Sequence, residues 1–170
     1  MANTYTLIAS YTVSGTSTTL INFTSIPQTY TDLKLVCSLR SNRSIVSQNS
    51  QIYINGTSAT NLSSKFLYGT GSAAGSATRA SMADIIYANG STATANTFSN
   101  CEVYFPNYTS TTTYKSFSAD SVSENNATAA EMQIGAGLYS NNSAITSIGL
   151  EDGIYYIANS TAYLYGIKNS

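Results

Sequence analysis

The sequence contains no histidine and no tryptophan, and only 9% of its 170 residues are charged. Without histidine, the commonest general base and the commonest nitrogen ligand for metal ions are both missing, so Ser-His catalysis is excluded. Seven basic residues against eight acidic ones give a net charge of −1, and only Arg40 and Arg43 lie close together. So little positive charge offers weak attraction for phosphates, and we expect no nucleic-acid partner.

Long apolar runs are missing as well. A helix that crosses a bilayer needs about 20 apolar residues, and the runs in this chain are only a few residues long. Residues 1–7 contain neither a basic leader nor an apolar segment of signal-peptide length. We therefore expect no membrane partner and a protein that is made in the cytosol.

Cysteine is scarce, with two residues, Cys37 and Cys101. Each occupies an apolar position of an alternating segment, which predicts that both side chains are buried. Two free thiols are favoured over a disulfide, since a reducing cytosol disfavours pairing and the sequence does not show whether the two residues are close.

What the chain does have is serine, threonine and asparagine, which together make up about two-fifths of the sequence. Such a composition would indicate disorder if the apolar residues were randomly placed. Instead they alternate with polar residues, most clearly from Leu33 to Arg40, and this period of two is typical of a strand with one buried face. The length suits one domain. We predict a single all-β domain over residues 1–170, an antiparallel two-sheet sandwich of jelly-roll type.

Nine to eleven short strands are predicted between turn signals such as Asn55-Gly56 and Asp152-Gly153. The Gly/Ala/Ser-rich segment from Thr57 to Ser81 is predicted to be a long surface loop. In the strand predicted from Ala129 to Tyr139, the apolar side chains share one face and Gly135 and Gly137 lie opposite, where a neighbour can approach closely. The predicted core includes Leu33, Leu35, Cys37, Leu39, Val103, Phe105, Ile134 and Leu138.

The residues that could carry chemistry form no recognisable site. The eight acids are scattered, whereas glycoside hydrolysis needs two carboxyl groups across a cleft. Glu151-Asp152, the one adjacent pair, is better explained as the polar tip of a turn than as a calcium site. Gly69, Gly71 and Gly75 lack the lysine of a phosphate-binding loop. We therefore predict no catalytic, cofactor-binding or metal-binding residues, no cofactor and no enzyme activity.

Tyrosine is abundant, with 14 residues. Tyr104, Tyr139, Tyr163 and Tyr165 alternate with predicted core residues. Many of the tyrosines are explained by the strand preference of this residue and by a hydroxyl that reaches water. The others would suit a protein interface or a platform for sugars, although the absence of tryptophan weakens the second interpretation.

A family resemblance is carried by five segments of strand and turn residues: Ser25–Leu33, Asn96–Asn100, Phe105–Thr109, Asp120–Asn126 and Ser160–Ile167. They resemble small virion proteins of tailed phages from aquatic, cyanophage-like viruses. The resemblance implies a jelly-roll homotrimer on the virion, assembled in the host cytoplasm. The expected role is a head decoration (cement) protein bound to the major capsid protein, and the alternative is a receptor- or glycan-binding module of a tail or fibre tip. The resemblance to these virion proteins assigns no functional residues to this chain.

Overall fold

The structure is a computed structural model that describes residues 4–15, 18–57, 59–126 and 130–168. Those residues form twelve antiparallel strands in two sheets, which confirms the predicted all-β sandwich. The strands are β1 (Tyr5–Thr12), β2 (Thr18–Phe23), β3 (Asp32–Ser38), β4 (Ser47–Ile54), β5 (Leu62–Gly69), β6 (Ala74–Arg79), β7 (Ala83–Asn89), β8 (Asn100–Phe105), β9 (Lys115–Ser123), β10 (Glu131–Tyr139), β11 (Ile148–Tyr156) and β12 (Thr161–Ile167).

Eight of the strands have the order of a jelly roll. One sheet begins β1-β12-β3-β8, and the other is β2-β11-β4-β7, so the chain changes sheet at each step from β1 to β4. Two hairpins, β5-β6 and β9-β10, are inserted between jelly-roll strands and continue the first sheet as β8-β9-β10-β5-β6. The large sheet therefore has eight strands and the small sheet four. The predicted jelly-roll-like connectivity is confirmed, with this asymmetric extension.

The core lies between the two sheets and consists of alternate side chains from both. Leu33, Leu35 and Leu39 are completely buried, and Cys37 is 2% exposed. Val103 and Phe105 on β8 lie opposite Leu35 and Leu33 on β3, so the two strands contribute to the same layer. The predicted phase of these two strands is confirmed.

The phase of β10 is opposite to the prediction. Ile134 is 62% exposed and Leu138 is only partly buried, whereas Gly135 and Gly137 face the small sheet. The physical reason is space, because a Cβ on Gly135 would lie 2.8 Å from Cβ of Ile85 on β7. Gly135 permits the two sheets to approach closely, and Gly137 leaves room for the ring of its partner Phe117 on the neighbouring strand β9. The larger apolar side chains of β10 face outward as a result.

The segment from Thr57 to Ser81 is also corrected, because it contains the hairpin β5-β6 instead of a long loop. Leu62, Ser64 and Phe66 are buried in alternation, which is the pattern of a strand with one covered face. β6 is the edge strand of the large sheet and carries small residues. An edge strand with little to bury needs few apolar residues, which is why its composition suggested a loop.

Two turn predictions have different outcomes. Asn55 and Gly56 adopt φ angles of 51° and 76°, as a tight turn with two left-handed residues requires. Gly153 has a φ of 75° but lies within the single strand β11, at an irregularity in its pairing with β2. Asp152-Gly153 therefore bends one strand instead of separating two.

Candidate functional site

The outer face of the large sheet, the face turned away from the small sheet, is the most unusual surface of the described residues. Leu67, Met132 and Ile134 are 66%, 53% and 62% exposed there. Leu67 and Ile134 are direct cross-strand partners on β5 and β10. These three side chains form what we call the apolar patch. Exposed apolar patches of several hundred Å² mark sites of contact with other molecules, and the apolar patch is therefore a candidate for such a site.

A groove of 710 Å³ runs beside this patch across β9, β10, β5 and β6. Ser118, Ala136, Lys65 and Thr78 lie side by side in one row of paired residues. Because Ser118 and Ala136 are short, the floor of the groove is low next to the taller Leu67 and Ile134. The groove is lined by ten residues. The sequence does not predict it, because the apolar pattern of β10 points to Ile134 and Leu138 as core residues.

Three charged side chains lie at the centre of the outer face. Glu102 and Asp120 are direct partners on β8 and β9. Lys34 on β3 forms an ion pair with Glu102, with Nζ 2.6 Å from Oε2. The hydrogen bond with Glu102 raises the pKa of Lys34, while burial and the Glu102 carboxylate raise the pKa of Asp120. The sequence separates these residues by up to 86 positions, and only the sheet register brings them together.

Tyrosines surround this charged centre on the outer face. Tyr104 is 38% exposed and donates a hydrogen bond of 2.7 Å to the carboxylate of Asp32. Tyr163 and Tyr165 on β12 lie beside Val36 and Lys34 on β3. Tyr139, the fourth tyrosine singled out by its alternation, is instead buried at 3% exposure. Three of the four thus contribute to an accessible surface, as an interface would require.

A second concave site lies on the opposite side of β5 and β6. There the eight-stranded sheet extends beyond β7, the edge strand of the small sheet. The result is a cleft of 240 Å³ lined mainly by Asn49, Phe66, Tyr68, Arg79, Tyr87 and Glu131. We call it the overhang cleft. It combines aromatic rings with amide, carboxylate and guanidinium groups, which is a set of groups that recognises polar organic ligands.

The basic pair Arg40 and Arg43 does not form a basic surface. Arg40 is 7% exposed, and its guanidinium donates to the carbonyls of Thr94 and Thr97 at 2.8 and 2.7 Å. Arg43 donates to the side chain of Gln48 at 2.8 Å. Arg40 therefore fastens the segment before β8, which is a structural role.

The residues considered for chemistry are dispersed in the fold. Gly69, Gly71 and Gly75 belong to the β5-β6 hairpin, and Glu151 lies within β11. Cys37 and Cys101 are buried free thiols, as predicted, and they are also direct partners on β3 and β8. Burial raises the pKa of Cys101 to about 11 and that of Cys37 well above its usual value, so neither thiol is a ready nucleophile at neutral pH.

Two structural features are absent from the part of the chain that the structure describes. Within it, no three His, Cys, Asp or Glu residues are grouped so that they could hold a metal ion. The same residues include no helix that is long and apolar enough to span a bilayer.

Comparison with protein-family models, with curated proteins and with solved structures gives no match to this chain. The resemblance to phage virion proteins therefore stays a prediction from the sequence.

Proposed function

We propose that this protein is a non-catalytic virion structural protein, a capsid decoration (cement) protein that assembles as a homotrimer on the outside of a phage head and contacts the major capsid protein. The observation that carries the structural role is the apolar patch on the outer face of the large sheet. A subunit of a larger assembly needs a rigid scaffold with an exposed apolar surface, and the extended jelly roll provides both. The phage identity comes from the resemblance of the sequence.

The free energy available from the apolar patch sets a minimum size for the interface. Full burial of a large apolar side chain contributes about 1.5–3 kcal/mol. Leu67, Met132 and Ile134 are each more than half exposed, so covering all three would contribute about 3–5 kcal/mol. Association costs at least about 4 kcal/mol in lost translation and rotation. The patch alone is thus insufficient, and a stable contact must include neighbouring parts of the face.

The outer face of the large sheet is large enough for a stable contact with a partner. Eight strands about 4.8 Å apart span about 38 Å, and seven residues at about 3.3 Å each span about 23 Å. Their product is about 900 Å², close to the roughly 800 Å² that each partner buries in a standard interface. A second copy of this chain, or a capsid subunit, can therefore be held by this one face.

Electrostatics favour a contact that depends little on salt. Lys34 and Glu102 neutralise each other within the subunit, and Asp120 and Lys65 on this face carry opposite charges. Packing and short-range hydrogen bonds then supply most of the binding free energy. Such bonds are affected only slightly when dissolved ions screen charges.

The test of assembly compares a patch variant with a matched surface variant. Leu67→Lys places a charge in the patch, and Leu20→Lys makes the same change at a 39% exposed leucine of the small sheet. By light scattering, the wild type and Leu20→Lys should have the mass of three chains of 18.0 kDa each, and Leu67→Lys should be monomeric. A wild type that is monomeric at micromolar concentration would contradict the proposed trimer.

The test of attachment uses purified heads that carry the bound protein. Salt is raised from about 0.1 M to about 1 M, over which the Debye length falls from about 10 Å to about 3 Å. We expect little release across this range, and density for the protein on the outside of the head. Steep release at modest salt, or density on the tail alone, would contradict the capsid role and favour the alternative.

The alternative function is a glycan-binding module of a tail or fibre tip, and the overhang cleft is the observation that favours it. Direct binding of glycans by a protein that does not attach to heads would support this alternative. A cleft that binds sugar is also compatible with a decoration protein, because the cleft and the apolar patch lie on opposite faces of the β5-β6 hairpin.

A further inference from the structure

Two exposed side chains of opposite charge flank the strand β10 on the outer face of the large sheet. Asp120 lies on β9 and Lys65 lies on β5, so that one is on each side of β10. Neither forms an ion pair with another of the described residues. Both charges are therefore available to a second molecule that covers this part of the face.

The surroundings of Asp120 favour a positively charged partner. Its direct neighbours in the row of paired residues are Glu102 on β8 and Ile134 on β10, so it lies between another carboxylate and the apolar patch. The nearby ammonium group of Lys34 is already bound to Glu102. Any molecule that covers Ile134 also removes water from Asp120, and a carboxylate taken out of water requires a cation beside it.

The strand between the two charges is apolar on its outer side. Met132 and Ile134 are both more than half exposed, and Ala136 and Leu138 follow in the same phase. None of these four side chains is charged. Across three neighbouring strands the face therefore has a fixed order, with an acid on β9, apolar side chains on β10 and a base on β5.

This order fits a head-to-tail contact between copies of the same chain. In a closed ring, one flank of each subunit meets the opposite flank of the next. A three-fold axis parallel to β10 places the apolar sides of three β10 strands at the centre and turns β9 of each copy toward β5 of the next. Asp120 shares its row with Leu67, which is two residues from Lys65. That offset is about 6.6 Å along the strands, within reach of a long and flexible lysine side chain.

We propose that the three-fold axis of the trimer runs along β10 and that Asp120 of each subunit forms an ion pair with Lys65 of the next. This inference rests on the proposed trimer and identifies its contact, whereas it does not depend on attachment to a phage head. The apolar patch supplies most of the binding free energy. The ion pair determines which flank meets which, because charge complementarity contributes more to specificity than to affinity.

The first experiment exchanges the two charges in the full-length protein and follows its mass by analytical ultracentrifugation. Asp120→Lys and Lys65→Asp each place like charges at every contact, and each should raise the concentration for half-assembly by at least about tenfold. The double variant has opposite charges again, so its half-assembly concentration should return to that of the wild type. Glu151→Lys, which reverses a charge on β11 of the small sheet, is the matched control and should assemble as the wild type does.

A second pair of variants tests where the axis lies. Ile134→Asp gathers three carboxylates at the axis and should leave the protein monomeric. Tyr163→Asp introduces the same carboxylate in the same row of the face, four strands away on β12, and should remain trimeric. Because Ile134 is 62% exposed, the melting temperature of Ile134→Asp should match that of the monomeric Leu67→Lys, which separates loss of assembly from loss of folding.

Failure of this contact can be distinguished from failure of the trimer. If the wild type has the mass of three chains and neither Asp120→Lys nor Lys65→Asp changes its half-assembly concentration, the proposed contact is overturned and the trimer stands. A double variant as weak as either single variant would overturn the contact as well, as would an Ile134→Asp protein that remains trimeric. A wild type with the mass of one or two chains would contradict the trimer itself.

Discussion

Gly135 on β10 lies directly against Ile85 on β7, so that a Cβ at position 135 would be 2.8 Å from Cβ of Ile85. This contact joins the inserted hairpin β9-β10 to the edge strand of the small sheet. The close approach depends on the missing side chain at Gly135. The next inward residue, Gly137, leaves room for the ring of Phe117 on the neighbouring strand β9 of the same sheet.

Gly135→Ala should therefore reduce the free energy of unfolding by about 1–3 kcal/mol, the usual cost of forcing an extra methyl group into a filled core. Gly69→Ala is the matched control in β5, because the nearest atom to a Cβ there is 3.9 Å away. It should leave stability unchanged or slightly increased. Urea denaturation of the three proteins measures the difference, and equal stabilities would mean that the sheets are further apart than the structure has them.

Leucine and isoleucine truncations test the opposite phases of β3 and β10. Leu35→Ala removes a completely buried side chain and should cost about 2–5 kcal/mol. Ile134→Ala removes a side chain that is 62% exposed, and in the isolated subunit it should cost less than about 1 kcal/mol. Thermal or urea unfolding of the monomeric Leu67→Lys background gives both values without the contribution of assembly. If Leu35→Ala lowered the free energy of unfolding by less than about 1 kcal/mol, Leu35 would not face the core and the assigned phase of β3 would be wrong.

These two strands also show what the sequence was able to predict. In β3 the inward positions carry Leu33, Leu35 and Cys37, so the alternation of apolar residues and the direction of the core agree. In β10 the apolar residues point outward, since Gly135 and Gly137 are needed for space. The alternation of apolar residues identifies a strand and assigns its residues to two faces. It does not show which face is buried when glycines occupy one of them.

The candidate sites could not be predicted from the sequence for a different reason. Glu102, Asp120 and Lys34 meet on three neighbouring strands whose register is set by the fold. The overhang cleft follows from the unequal widths of the two sheets, which is a property of how the inserted hairpins are placed. The Gly/Ala/Ser-rich composition of the β5-β6 hairpin is typical of a loop, so the sequence does not predict the strand that makes the overhang.

The two cysteines should be unreactive in the native protein. Burial raises the pKa of both thiols, to about 11 for Cys101, so the reactive thiolate is scarce near neutral pH. A thiol reagent at neutral pH should label neither residue until the protein is unfolded, when it should label two. The double variant Cys37→Ser, Cys101→Ser should still assemble. Wild-type assembly that is lost when a reducing agent is added would indicate that a disulfide joins these cross-strand partners.

Tyr104 should ionise at a higher pH than an ordinary tyrosine, because its hydroxyl donates a hydrogen bond to the Asp32 carboxylate. The hydrogen bond with Asp32, together with burial, raises the pKa of Tyr104 to about 12. The folded state thus favours the protonated form. The stability from this interaction is fully present below the usual tyrosine pKa of about 10 and is lost as the pH rises from there to about 12.

The measurement is an alkaline titration of phenolate absorbance in the wild type and in Tyr104→Phe. The difference between the two curves should be a single transition with a midpoint near pH 12, which is the value for the missing tyrosine. Tyr114→Phe, altered at an exposed tyrosine outside this face, should retain that transition. Tyr104→Phe should also be less stable at neutral pH by about 1–3 kcal/mol, since the buried Asp32 carboxylate keeps the backbone N–H of Asn107 but loses the tyrosine donor. A difference curve with its midpoint near pH 10 would show that the Tyr104 hydroxyl does not donate a hydrogen bond to Asp32 in solution.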